Sequence, residues 1–432
     1  MITLDNILAL LLVIATTAVI SFLVTPLVIS LAPKIGAMDI PKDSRRVHDH
    51  PIPRLGGFAI FIAFLVGVLV FVDIDYKLQG ILIGAVIIVI EGVIDDIVSL
   101  PALVKLAGQI AAAIVAVVYG LRIEIMSLFF GDAGFVFLGA LSIPITIIWI
   151  VGVTNAVNLI DGLDGLACGV STIASATMLV VAMNVVGEDF DIPLVLAALI
   201  GACLGFLPYN FNPAKIFMGD TGALLLGYVL STVSILGFFK FYAVISFVVP
   251  FLALGLPIFD TTAAIIRRLI HGQSPFKPDK GHIHHKLINS GLSQKQAVAV
   301  LYTISALLGV VAVVITTSGK YRFVLLIVAA VCAIVVDRRI LKKCRGHKHG
   351  QCPEAKSSKN DEGFTGKSGT ESASAAKDEN VGAISDIGKE ETGDTAEAIN
   401  DAGAEDEAKG NDSGAGDPSQ KNGDGSDESM MP

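Results

Sequence analysis

The stretch IPITIIWIVGVTNAVNLIDGLDGLACGVSTIASATMLVVAM, residues 143–183, sets two apolar runs on either side of a polar turn. Each run is long enough to enter a bilayer as a helix. Between them Asn155, Asn158, Asp161 and Asp164 recur at every third residue, a drifting polar stripe at the end of a helix. Gly162 and Gly165 end that helix and open its backbone to close approach. Amide and carboxylate oxygens in this combination match hard-cation coordination and sugar-hydroxyl recognition, more than polar capping alone requires.

Working outward, apolar runs recur near residues 5–32, 56–73, 78–95, 102–120, 136–154, 166–186, 192–208, 221–239, 242–265, 296–316 and 321–338. The fold class expected is an all-α polytopic membrane protein of about eleven transmembrane helices. A chain 53% hydrophobic and only 16% charged does not fit an ordinary soluble globule. The first run has no basic residue before Lys34 and is too long for a signal peptide, so it reads as a retained span.

The formal charge of −9 averages two unlike regions. Residues 1–350 hold 24 Lys+Arg against 20 Asp+Glu, whereas 351–432 hold 7 against 20. Residues 1–345 are therefore expected to form the membrane domain. Residues 346–432, acidic and rich in Gly, Ser and Ala, cannot bury enough apolar area to offset ordering entropy and are expected to be a disordered cytoplasmic tail. The five cysteines follow neither a disulfide nor a metal spacing.

Orientation follows from the basic residues. With the N-terminus outside and the C-terminus inside, the inner loops take Lys34, Lys42, Arg45, Arg46, Arg54, Lys105, Lys215, Arg267, Arg268, Lys277, Lys280, Lys286 and Lys295. The outer loops keep only Lys77, Arg122, Lys240, Lys320 and Arg322.

This topology puts five polar clusters at the cytoplasmic face. DIPKDSRRVHDHPIPRLGG (39–57) offers Arg45, Arg46, His48 and Arg54 as phosphate ligands, with Gly56 and Gly57 permitting close backbone approach. EGVIDDIVSL (91–100) puts Glu91 and Asp95 on one helical face with Asp96 adjoining, a set suited to a divalent ion or a shared proton. The stripe from Asn155 to Asp164 is the third. YNFNPAKIFMGDTG (209–222) supplies Asn212, Lys215 and Asp220, the last able to cap the next helix, bind a metal, or both. RRLIHGQSPFKPDKGHIHHKLINSGLS (267–293) carries His282, His284 and His285 among lysines. Three close histidines could hold zinc, but the hard-oxygen ligands elsewhere favour anion or nucleotide recognition. Together the clusters fit a Mg²⁺-dependent reaction between a soluble phosphorylated donor and a membrane-resident acceptor.

These motifs, in this order over roughly residues 1–340, resemble the polyprenyl-phosphate N-acetylhexosamine-1-phosphate transferases of bacterial envelope synthesis. The resemblance rests on DIPKDSRRVHDHPIPRLGG, the Asp95–Asp96 pair, NAVNLIDGLDGLA, NFNPAKIFMGDTG and GHIHHKL. It implies transfer of a sugar-1-phosphate from a UDP-sugar to undecaprenyl phosphate with release of UMP, in the bacterial plasma membrane with the site facing the cytoplasm. It implies Mg²⁺, with Mn²⁺ as a substitute ion, held by Asp220 with Asn158 beside it. Asp95 and Asp96 would handle the lipid phosphate and the metal, and Asp161 and Asp164 would be active-site carboxylates. Arg45, Arg46, His48, Arg54, Asn155, Asn212, Lys215, His282, His284 and His285 would contact substrate. The GHIHH form resembles the branch using UDP-N-acetylglucosamine for teichoic acid or polysaccharide initiation. The alternative is the muramoyl-pentapeptide branch, which typically carries Pro-Leu-His-His-His there. No nucleic acid is expected as a partner, and the resemblance allows a homodimer. An ion-coupled transporter is the rival class, since intramembrane carboxylates often mark ion paths. Polar residues gathered at one surface, with no evident two-half repeat, argue against it.

Overall fold

The computed structural model describes residues 3–40, 50–127, 135–185, 190–237, 244–273 and 281–316. Arg45, Arg46, His48, the apolar run at 321–338 and the acidic tail lie outside the described residues.

Helix α1 (Leu4–Ile35) is capped by Thr3, whose hydroxyl accepts from Asn6 N–H, and stops at Gly36, which turns left-handed at φ 81°. A short antiparallel pair follows, β1 (Met38–Asp39) with β2 (Ile52–Pro53). Then come α2 (Gly56–Phe71), α3 (Tyr76–Val98) and α4 (Ala102–Val118). Asp75 caps α3 by accepting from Leu78 N–H at 2.7 Å. A second hairpin, β3 (Ile125–Ser127) and β4 (Phe135–Phe137), leads to α5 (Ser142–Ile160). The remaining helices are α6 (Leu166–Val185), α7 (Asp191–Asn210), α8 (Gly219–Gly237), α9 (Val244–Ala253), α10 (Gly255–Ile270), α11 (Ile283–Asn289) and α12 (Gln294–Thr316).

Among the described residues, six helices are long and apolar enough to cross a membrane: those at 4–35, 139–160, 166–184, 191–210, 219–237 and 294–316. The apolar helices at 56–71 and 102–118 are shorter. The eleven runs expected from sequence thus resolve less uniformly. The run at 242–265 is not one helix: α9 and α10 part at Leu254 (φ −97°, ψ 15°), between Pro250 and Gly255. Proline and glycine so close together weaken the helical ladder there.

Helix α8 is the centre of the bundle and is buried along nearly its whole length against α2, α3, α5 and α6. Lipid offers no hydrophobic reward for helix association, so close packing must come from small residues. A Cβ on Gly57 of α2 would collide with the backbone of Gly222, and one on Gly92 of α3 with the backbone of Thr221. Deeper along the helix, a Cβ on Gly227 would come within 2.6 Å of Thr154 Cα on α5. Two of these three contacts grip the first turn of α8, where Asp220 stands. Lipid-type residues face outward elsewhere: Leu8, Leu11, Leu12, Leu23 and Leu27 line the exposed side of α1.

Candidate active site

Three segments meet at the start of α8. The chain entering α2 is zipped to the chain entering α8 by backbone hydrogen bonds: Phe217 N–H to Pro53 O at 2.8 Å, Gly56 N–H to Phe217 O at 2.9 Å and Gly57 N–H to Met218 O at 2.8 Å. That pairing carries Arg54 to Asp220. Its Nη2 donates to Asp220 Oδ1 at 2.8 Å, its Nε lies 3.0 Å from Asp96 Oδ1, and Nη2 lies 3.9 Å from Asp95 Oδ2. Lys105 of α4 bridges from the other side, donating to Asp95 Oδ2 at 3.1 Å and to Asp220 Oδ2.

Asp95, Asp96 and Asp220 each place a carboxylate oxygen within 4.8 Å of the other two. Such a cluster is stable only because cations or a metal compensate it. Arg54 and Lys105 supply two positive charges for three carboxylates. Removal from water works against the Arg54 charge, yet Asp96, Asp220 and Asp95 outweigh it and hold the guanidinium above its ordinary value.

The three carboxylates are not equivalent. Asp96 accepts from Asp220 N–H at 2.9 Å, from Thr221 N–H at 3.1 Å and from the Thr221 hydroxyl at 2.6 Å. It therefore caps α8 from another helix, satisfying donors that a helix start leaves open. The cap that the sequence suggested for Asp220 comes from Asp96, and this leaves Asp220 free to face Arg54, Lys105 and the cavity. Asp95 accepts from Leu100 N–H at 2.7 Å, which ties it to the end of its own helix.

Beside Arg54 and Asp220 opens a cavity of about 550 Å³. Its walls include Asn158, Asp161, Asp164, Asn212, His285 and Gln294. The stripe expected from sequence divides here. Asn158, Asp161 and Asp164 reach the cavity, whereas Asn155 turns to α4 and donates to the Gln109 side chain and to Val151 O at 2.8 Å. Asn155 is a helix-to-helix bond, not part of the cavity wall. Lys215 is exposed and also stands off that wall.

The polar turn is built tightly. Gly165 takes φ 75°, and its N–H donates to Asn210 Oδ1 at 3.1 Å, while Asn210 Nδ2 donates to Ile216 O at 3.0 Å. Asp164 Oδ2 accepts from Asn212 Nδ2 at 2.9 Å and from Ala214 N–H at 3.1 Å. Asn212 also donates to Gln294 Oε1 at 2.7 Å, so α12 closes the same side. Removal from water pushes the Asp161 carboxyl up to about 7, with Asp220, Asp96 and Asp164 adding to the shift against Arg54.

The three histidines also separate. His285 lines the cavity, while His282 and His284 are buried behind it. His284 stacks on His282, ring centres 5.8 Å apart, and its Nε2 presses so close to Gly162 that a Cβ there would lie 2.5 Å away. Removal from water, with His285 and His282 beside it and only Asp260 pulling the other way, lowers His284 to about 4, so it is neutral at pH 7.

The sign of the resulting pH effect is fixed. The undocked imidazole takes up a proton as pH drops below its ordinary value of 6.5, whereas the docked one resists until about 4. Docking of residues 281–290 should therefore weaken as pH falls through that window. Amide exchange, corrected for intrinsic rates, should give lower protection there at pH 5 than at pH 7.5; equal protection would contradict this environment for His284.

Lys105, Gln294 and Thr221 are among the residues of this site that the sequence pattern does not single out. Lys105 carried a signal only as one inner-loop lysine among many, and Gln294 and Thr221 carried none.

The sequence pattern of glycosyl transferase family 4 matches residues 78–238. The chain is 45% identical over 297 residues to a Bacillus subtilis protein named "Probable undecaprenyl-phosphate N-acetylglucosaminyl 1-phosphate transferase", covering 68% of this chain and 82% of that one. It is 36% identical over 314 residues to a decaprenyl-phosphate N-acetylglucosaminephosphotransferase of Mycolicibacterium smegmatis, covering 66% and 77%. It is 30% identical over 321 residues to an undecaprenyl-phosphate alpha-N-acetylglucosaminyl 1-phosphate transferase of Escherichia coli, covering 70% and 84%.

Proposed function

The chain belongs to glycosyl transferase family 4, the polyprenyl-phosphate N-acetylhexosamine-1-phosphate transferases, and from that membership we propose that it moves N-acetylglucosamine-1-phosphate from UDP-N-acetylglucosamine to undecaprenyl phosphate and releases UMP. The observation that carries the proposal is the convergence of Arg54, Lys105, Asp95 and Asp220 on the edge of a cavity walled by Asn158, Asp161, Asp164 and His285. A sugar nucleotide needs cations for its pyrophosphate and amides and carboxylates for its hydroxyls, and this cavity offers both. The basic bias of the loops around these segments supports a cytoplasmic site, where soluble UDP-sugars are available.

The donor set fits a hard divalent cation, Mg²⁺ or its substitute Mn²⁺. Asp220 and Asp95 would hold it, with Asn158 nearby and Asp96 fixing the first turn of α8 on which Asp220 stands. Bound there, the ion would neutralise charge on the donor phosphates. Arg54 and Lys105 bind and orient the phosphate groups, adding electrostatic stabilisation as negative charge moves toward the leaving UMP. Asp161 and Asn158 orient the donor, and Asp164 keeps the turn that carries them in place. His285 closes the cavity from the side of the histidine segment.

A lipid phosphate monoester is largely dianionic near neutral pH, by analogy with phosphorylated side chains whose second ionisation lies near about 6. One of its oxygens attacks the β-phosphorus directly, the bond to the UMP oxygen breaks, and one phosphoanhydride replaces another. The competing covalent route would require UDP-sugar/UMP exchange without lipid; no such exchange is expected.

Purified chain, stripped with EDTA, should incorporate label from UDP-N-acetylglucosamine into lipid extract only after Mg²⁺ and undecaprenyl phosphate are added. Incorporation from the muramoyl-pentapeptide donor alone would transfer the proposal to the peptidoglycan branch, and no incorporation from either donor would overturn it.

A further inference from the structure

Asp260 lies in α10, in the run that the sequence reading treated only as a membrane span, and it is 4% exposed. Both of its oxygens are used by consecutive residues of the histidine segment. His282 Nδ1 lies 2.8 Å from Oδ2, and Ile283 N–H donates to Oδ1 at 3.0 Å. Two turns further along the same face of α10, the Arg267 guanidinium packs against Gly281, 2.4 Å from where a Cβ on that glycine would lie. Residues 281–283 are thus laid along one face of α10 and held at both ends.

The fixed segment leads straight to the cavity. His282 stacks on His284, His284 presses on Gly162 in the polar turn, and His285 reaches the cavity wall beside Gly162 and Asp164. His284 and His285 are themselves in ring contact at 4.3 Å. A carboxylate that accepts from a ring nitrogen and from the next backbone N–H fixes both the position of a segment and the face its imidazole presents.

We propose that Asp260 is a positioning residue for donor binding: it docks the histidine segment on α10 so that His285 completes the cavity against the Asp161–Gly165 turn. This rests on the reading that the cavity takes the sugar nucleotide. Asp260 touches no reacting atom, so its loss should weaken donor capture and leave the chemical step nearly intact.

Two independent measurements on the full chain in detergent or nanodiscs test it. The first needs no substrate: hydrogen exchange over residues 281–290 should rise at least about tenfold in Asp260→Ala while the first turn of α8 stays protected. The second is kinetic: the KM for UDP-N-acetylglucosamine should rise about tenfold or more with kcat within about threefold and the KM for undecaprenyl phosphate unchanged. His282→Ala should reproduce this split, and the double variant should be no worse than either single one, since the two side chains act as a unit. Asp260→Asn keeps the volume and one acceptor, so it should fall between wild type and alanine, and it carries both measurements if the alanine variant does not fold. Unchanged exchange over 281–290 would overturn the docking role whatever the donor is. A fall in kcat at constant KM, or additive effects of the two substitutions, would overturn the positioning role. A wild-type chain inactive with every UDP-sugar would sink the functional reading alone, and the exchange measurement would still decide the docking.

Discussion

Asp220→Asn is expected to lower kcat by at least about 10², the size of effect seen when one strong electrostatic stabiliser is lost from a site that excludes water. The change removes a charge and almost no volume, so the cap that Asp96 gives to the backbone of Asp220 and Thr221 survives. What is lost is the group on which Arg54 and Lys105 both converge. With two cations left facing Asp95 and Asp96, the site becomes a poorer cation ligand and holds its basic side chains less firmly. Steady-state transfer measured over a range of Mg²⁺ concentrations checks this: the loss should persist at saturating Mg²⁺. Activity within a few-fold of wild type would remove Asp220 from the centre of the site.

Gly57→Ala should be comparably severe for a steric reason. A single methyl there meets the backbone of Gly222 and Thr221, and backbone cannot rotate away as a side chain can. Overpacking costs typically about 1–3 kcal/mol and more where neither wall yields. Here the walls are the first turns of α2 and α8, which carry the zipper that delivers Arg54 to Asp220. Transfer activity should drop below about 1% of wild type, an estimate based on how strongly a displacement near 1 Å penalises positioned groups. Gly152→Ala on α5 is the matched control, because a Cβ there meets nothing within 4 Å. Thermal unfolding and transfer assays should separate the two variants clearly, and a fully active Gly57→Ala protein would show that α2 and α8 do not need this contact.

The sequence was most legible where one physical signal dominated. Apolar runs mark the helices because the bilayer demands length and continuity, and Gly162 with Gly165 marked the end of α5 because only a break there explains them. It was least legible where a residue's partner is distant along the chain. Asp96 adjoins Asp95 in a pattern that suits a divalent ion, and nothing in that pattern shows that it also caps a helix starting more than a hundred residues later. Asn155 belonged to the same triplet stripe as Asn158, yet the drift of that stripe turns it toward Gln109. Lys105 was indistinguishable from a lysine obeying the positive-inside bias, and Asp260 from a stray carboxylate near the end of a span. The spacing of the histidine triplet suggests one ligand set, whereas only His285 lines the cavity and His282 and His284 are buried. The break between α9 and α10 was masked by unbroken hydropathy.

In the proposed reaction the donor pyrophosphate should bind against the acidic cluster of Asp95, Asp96 and Asp220. Phosphorus relaxation of UDP-N-acetylglucosamine on the full chain loaded with Mn²⁺ tests it most directly, because paramagnetic broadening falls steeply with distance. Strong broadening of both phosphorus signals that disappears in Asp220→Asn is the predicted result. Bound nucleotide sugar whose phosphorus signals are untouched by Mn²⁺, or equally broadened in Asp220→Asn, would contradict it.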